Sequence, residues 1–290
     1  MIQRRRGQGL GLALLALQVM NIGVENIPPV TLATVAAQVA IFLQIGDLSR
    51  WFPSANTVCI SAYRVMDRKE WQTLILGALF HADDIHLYYN MASMLWKGRQ
   101  LERRFKSVYF AYLLTVFTVM TSIVYVGLNV ALSHLLQDRW YNMTCAVGFS
   151  GVLFALKVLT SHYSDPGVHR ILGFIPVSSK VVYWAELVVI QMITPNASFT
   201  GHLAGILVGL LYIKGPLKIV MDSVLAPADR GQNSNFNYRS EPSAPPPGDD
   251  YNRHTGGETD YNRYTGGLSE EEQIRRATDE SLRDGKIVSL

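Results

Sequence analysis

As far as about residue 220 the chain alternates long apolar, nearly uncharged windows with short polar breaks; beyond that it turns polar. Windows of this kind read as membrane-spanning helices. The first clear span covers residues 29–45, its proline pair at 28 and 29 suited to a helix start. Further spans are expected at 85–96, 108–132, 145–161, 181–193 and 199–213. The span at 85–96 is short and polar, carrying His86, Asn90 and Ser93, and hydropathy alone would pass over it. Residues 10–25 read as an interfacial or kinked extension, because few residues separate them from the next run. Arg4–Arg6 ahead of them resemble the charged region of a signal peptide, without a clear cleavage site. The stretch 46–80 reads as a polar loop with Trp51, Tyr63 and Trp71 at a membrane interface. Residues 97–106 read as a basic loop, and 162–180 as a polar connection.

The expected fold class is therefore all-α: a polytopic membrane protein with a six-transmembrane-helix bundle over residues 1–220, a disordered cytosolic linker over 221–267 and one short helix over 268–285. Six spans place both termini on one side. Arg4–Arg6, the basic residues of 97–106, and Lys214 with Lys218 all fall on that side, which the positive-inside rule makes cytosolic. His86, Ser150 and His202 then all begin even-numbered spans, at one depth on the opposite, lumenal side.

Composition narrows the function. A net charge of +3 is too small to argue for nucleic acid. Two cysteines, Cys59 and Cys145, make no disulfide framework. Both fall on the lumenal side, and the sequence leaves their pairing open. No cluster of His and Cys has metal-ligand spacing, and no cofactor is expected.

The chemistry centres on Ser150, which lies between Gly148 and Gly151 in an apolar run. A buried serine often merely bonds the carbonyl one turn back. Glycines at 201, 205 and 209 around His202 read first as a close-packing helix face. The pair together suggests more. A neutral imidazole within reach activates a serine hydroxyl as nucleophile, and an ionisable residue inside a span is a functional hypothesis by default. The resulting oxyanion needs donors; His86, Asn90 and the backbone around Gly148 and Ser150 are the candidates. No acidic residue sits at the same depth, so a dyad of Ser150 and His202 is expected.

These residues resemble the rhomboid intramembrane serine proteases. Gly148-x-Ser150-Gly151, Gly201-His202 with its following glycines, His81-x4-His86-x3-Asn90, Leu101-Glu102 and Trp71 carry the resemblance across about residues 28–215. Gln72 departs from it, where many relatives have arginine. The resemblance implies cleavage of other membrane proteins in or near their spans, with Ser150 as nucleophile, His202 as base, and His86 and Asn90 at the oxyanion.

The tail adds a second theme. Ser269-x-x-Glu272 is a capping box, and Glu271–Arg275 and Glu272–Arg276 are favourable pairs. The face of Ile274, Ala277 and Ser281 is too narrow to build a core. With Glu270, Glu271 and Glu272 it resembles a ubiquitin-interacting motif, which implies ubiquitin or ubiquitinated proteins as partners and requires a cytosolic tail. The whole resembles the endoplasmic-reticulum branch of the rhomboids, which implies a role in membrane-protein quality control and ER-associated degradation. One rival is a non-catalytic membrane adaptor for ubiquitinated clients. Another is a small transporter, which would need paired charges in mid-membrane; none is evident in the sequence.

Overall fold

The computed structural model describes residues 9–46, 55–164, 168–171 and 175–225. The tail expectations beyond residue 225, from the rest of the linker to Glu270, Glu271, Glu272, Ile274, Ala277 and Ser281, lie outside the described residues, as does Trp51. The principal helices are α1 (Leu10–Ile22), α2 (Pro29–Leu43), α3 (Thr73–Leu79), α4 (Asp84–Phe105), α5 (Ser107–Leu136), α6 (Ser150–Tyr163), α7 (Val182–Ile193), α8 (Phe199–Ile213) and α9 (Pro216–Leu225). The body is mostly helical, with one departure from all-α. The connection after α6 contains a two-stranded antiparallel hairpin, β1 (Val168–Ile171) and β2 (Ile175–Ser178), with Val168 opposite Ser178.

Among the described residues one helix, α5, is by itself long and apolar enough to cross a membrane; α8 and α9 meet the test together but are bent by 70°. In lipid, apolar surface gives helices little reason to associate, so packing contacts and hydrogen bonds hold a bundle together. Both are visible along α4. The carboxylate of Asp84 accepts the backbone N–H groups of Gly9 (2.8 Å) and Gly11 (3.0 Å), capping α1. Eighteen residues on, which is five helical turns and so the same face, Glu102 accepts Val30 N–H (2.9 Å) and Thr31 N–H (2.7 Å), capping α2. It also accepts the hydroxyls of Thr31 and Ser107. Helix N-termini carry orphan donors and a partial positive charge. A carboxylate at each end of α4 thus seats both partners of a hairpin.

That hairpin corrects the reading of residues 10–25. They form no interfacial extension. α1 runs along α4 from Asp84 towards Arg103, whose guanidinium donates to Asn26 O (3.0 Å), and α2 returns. The turn is short because Gly23 N–H closes α1 onto Val19 and Met20 carbonyls, a 3-10 turn covers Val24–Asn26, and Pro29 opens α2. The six-helix count omitted α1. Gly9 lies at the Asp84 end of the bundle, whereas α9 lies at the Phe105 end, where Tyr109 donates to Asp222 (3.1 Å).

Two further boundaries move. Residues 97–106 are not a loop: α4 continues to Phe105, burying Lys97, Gly98, Leu101, Glu102 and Phe105. Their charges mask an apolar stripe at Met94, Gly98, Leu101 and Phe105, spaced three and four apart. At the other end α9 keeps the chain ordered to Leu225, with Met221 buried, past the expected limit at 220.

Candidate active site

The approach to Ser150 is extended rather than helical. Ala146 exchanges two backbone hydrogen bonds with Ile60, each 2.9 Å, and Cys145 is disulfide-bonded to Cys59, with Cα atoms 5.5 Å apart. The pairing left open by the sequence is thus made. Gly148 follows with φ +118°, and its N–H donates to Gly77 O at 2.8 Å. Ser150 is the first residue of α6, so the span expected from 145 starts one turn later, at the serine itself. Tyr125, from α5, steadies this approach by donating its hydroxyl to Thr144 O (3.0 Å).

His202 occupies the first turn of α8, where the Ser198 hydroxyl accepts Gly201 N–H (3.2 Å). Its Nε2 lies 3.0 Å from Ser150 Oγ. The ring leans on Phe154, centroids 4.6 Å apart, and the residue is 5% exposed. What lets the two side chains meet is the backbone approach of α6 and α8. A Cβ on Gly205 would strike Gly151 O, and one on Gly151 would lie 3.1 Å from Gly201 O. The close packing at the glycines is what brings the Ser150 and His202 side chains within hydrogen-bond distance.

His86 comes in from α4, whose N-terminus is capped by Asp83 Oδ1 accepting His86 N–H (2.7 Å). The imidazole faces Gly148: a Cβ at 148 would lie 2.7 Å from His86 Cε1 and 2.8 Å from Nε2. Asn90 sits one turn on and donates Nδ2–H to His86 O (2.8 Å), leaving one amide hydrogen for another acceptor. Gly148 was an oxyanion candidate, but its N–H is committed to Gly77. What it contributes is room for His86. His81 had been given no role; it is 4% exposed and meets His86 edge-on at 5.1 Å.

Buried polar atoms are normally satisfied. Here both ring nitrogens of His81, Asn90 Oδ1 and His202 Nδ1 are buried without a partner. Among the described residues no carboxylate reaches Nδ1 of His202. The unsatisfied atoms make the site polar where the bundle around it is apolar.

One expectation about charge fails. Lys157 Nζ, on α6, pairs with Glu186 Oε2, on α7, at 2.8 Å. Buried Lys97, on α4, bonds Ser93 Oγ and lies within electrostatic range of both. Paired charges do exist inside the bundle. Lys157 and Glu186 each stand alone in an apolar run of the sequence, whereas Lys97 falls in the stretch that reads as a basic loop. Among the described residues no group of His, Cys, Asp and Glu could hold a metal.

Residues 68–217 match the Rhomboid domain. The chain belongs to the rhomboid family. It is 50% identical to rhomboid-related protein 4 of Mus musculus over 242 residues, covering 82% of this chain and 75% of that protein. It is 45% identical to rhomboid-related protein 4 of Homo sapiens over 303 residues, covering 98% and 90%. A more distant match, 41% over 192 residues, is the Arabidopsis thaliana rhomboid-like protein 14, mitochondrial, covering 64% of this chain and 56% of that one. As a rhomboid, this is an integral membrane protein whose surroundings are a lipid bilayer.

Proposed function

We propose that this rhomboid is an intramembrane serine endopeptidase that cuts other proteins in or near their membrane spans. The observation that carries the reading is the 3.0 Å approach of His202 Nε2 to Ser150 Oγ. Ser150 attacks the scissile carbonyl while His202 takes its proton, then returns it to the leaving amine. His86 and the free amide hydrogen of Asn90 stabilise the oxyanion, with help from the α6 N-terminus. The polar surroundings of His81 and Asn90 admit the water that hydrolyses the acyl-enzyme.

The active-site end faces an oxidising lumen, a reading supported by the disulfide there. Arg99, Arg103, Arg104 and Lys106 gather at the far end of α4 and mark the cytosolic side. The spans 29–45 to 199–213 form the protease, preceded by α1. The endoplasmic reticulum, ubiquitin binding by 268–285 through Glu270, Glu271, Glu272, Ile274, Ala277 and Ser281, and the removal of unstable or ubiquitinated clients extend this reading. They rest on the tail's sequence pattern.

The test is cleavage of a single-span substrate in reconstituted vesicles. Ser150→Ala and His202→Ala should each lower the rate by about a thousandfold or more while retaining the thermal midpoint. Equal rates in all three proteins would leave a non-catalytic adaptor.

A further inference from the structure

The last turns of α4 carry more positive charge than the fold consumes. Glu102 is occupied at α2, Glu186 with Lys157, and Glu25 accepts from Asn26 (3.2 Å). Arg104 lies over the Tyr163 ring, 4.4 Å from its centroid. Arg103 is held by Asn26 O, which engages one of its five donors. Arg99 has its Nε buried without a hydrogen-bond partner. Among the described residues neither Arg99 nor Arg103 has a carboxylate partner.

Arg99 and Arg103 are one turn apart and share a face. With Trp96 and Gln100 they line an open groove of about 410 Å³. Gln100 is anchored across it, donating Nε2–H to Ser164 Oγ at 3.0 Å. Trp96 is 54% exposed and lies on the side of the groove nearer mid-bundle; the arginines lie towards the Phe105 end. The groove is therefore graded along α4, aromatic towards mid-helix and doubly cationic towards the Phe105 end. A planar fork of donors with an aromatic beside it suits a phosphate carrying an acyl chain. Basic recesses between helices on the cytoplasmic side are where anionic headgroups bind.

We propose that this groove binds an anionic phospholipid, its phosphate between Arg99 and Arg103 and an acyl chain along Trp96. The groove opens sideways from a membrane-embedded helix, which favours a lipid over a free phosphate. Among the described residues that line it there is no carboxylate to receive a choline or ethanolamine cation, which favours an anionic headgroup over a zwitterionic one. Because α4 also seats α1, α2 and His86, the lipid braces the helix on which the rest of the bundle is hung.

The test uses the full chain in phosphatidylcholine nanodiscs doped with brominated phosphatidylglycerol or brominated phosphatidylcholine. Tryptophan quenching is read as the part lost in Trp96→Phe. Phosphatidylglycerol should quench that part saturably, with a preference over phosphatidylcholine of about tenfold or more, given about fivefold per arginine. Arg99→Gln, whose Nε bonds nothing in the fold, should lose most of the preference with its lipid-free thermal midpoint unchanged. Arg99→Gln/Arg103→Gln should lose it all. Equal quenching by the two lipids, or an undiminished preference in Arg99→Gln, would overturn the proposal. So would displacement of phosphatidylglycerol by millimolar inorganic phosphate, which would make free phosphate the ligand. None of these readouts depends on proteolysis, so they stand or fall apart from the proposed activity.

Discussion

Gly148 meets two demands that no other residue satisfies together. Its φ of +118° is a conformation that L side chains rarely adopt, and the space where a Cβ would go is filled by the His86 ring. Gly148→Ala should therefore push His86 away from the serine and strain the turn that presents it. The expected result is a loss of cleavage by about a hundredfold or more, comparable to losing an oxyanion donor, with weaker labelling by a serine-directed probe. Gly127 provides the contrast: a Cβ there meets nothing within 4 Å. Gly127→Ala should keep full labelling and gain about 0.5–1 kcal/mol, as glycine-to-alanine changes inside helices do.

The elements around the site are fastened in two ways. On one side the segment before Ser150 is stapled to the first loop by the Cys59–Cys145 disulfide and the Ile60–Ala146 bridge. The bond closes a separation of 86 residues, for which loss of chain entropy amounts to about 4–5 kcal/mol. Cys59→Ser and Cys145→Ser should each lower the thermal midpoint, and the wild type under a reductant should fall to the same value. An unchanged midpoint in all three would show that the backbone bridge suffices alone. On the other side, α4 seats the α1–α2 hairpin through Asp84 and Glu102, and α6 seats α8 through glycine contacts. Ser150, His202 and His86 thus sit on helices held together by carboxylate caps and close glycine contacts.

Across the whole bundle, three helices contribute to one charge cluster: buried Lys97 from α4, and half-buried Lys157 from α6 and Glu186 from α7. Its composition predicts an order of effects. Glu186→Gln leaves two cations without an anion and should cost about 3–5 kcal/mol, the scale for stranding a buried charge. Lys157→Met leaves Lys97 opposite Glu186 and should cost less. Urea or thermal unfolding in a defined detergent would rank the two, and the reverse order would show that Lys97 does not act as Glu186's second partner. α7 gains particular weight from this, since its other buried anchors are few: Val182 and Leu187.

Much of the site was legible from residue types and spacing. Ser150, His202, His86 and Asn90 stand out because a polar or ionisable group in an apolar run demands an explanation, and helical periodicity assigns each a depth. The family resemblance was legible in the same residues; of the six expected spans, the one at 108–132 is the helix that is long and apolar enough by itself, α5. The sequence could not reveal contacts between residues far apart along the chain. Whether Cys59 meets Cys145, whether Lys157 meets Glu186, and whether Gly148 spends its N–H on Gly77 depend on how segments pack. α1 was misread because its helix is satisfied from outside: Asp84 caps it from 75 residues away, and no local signal records that. Residues 97–106 were misread because charge dominates hydropathy, whereas the apolar stripe beneath the charges acquires meaning once α5 and α6 are there to cover it.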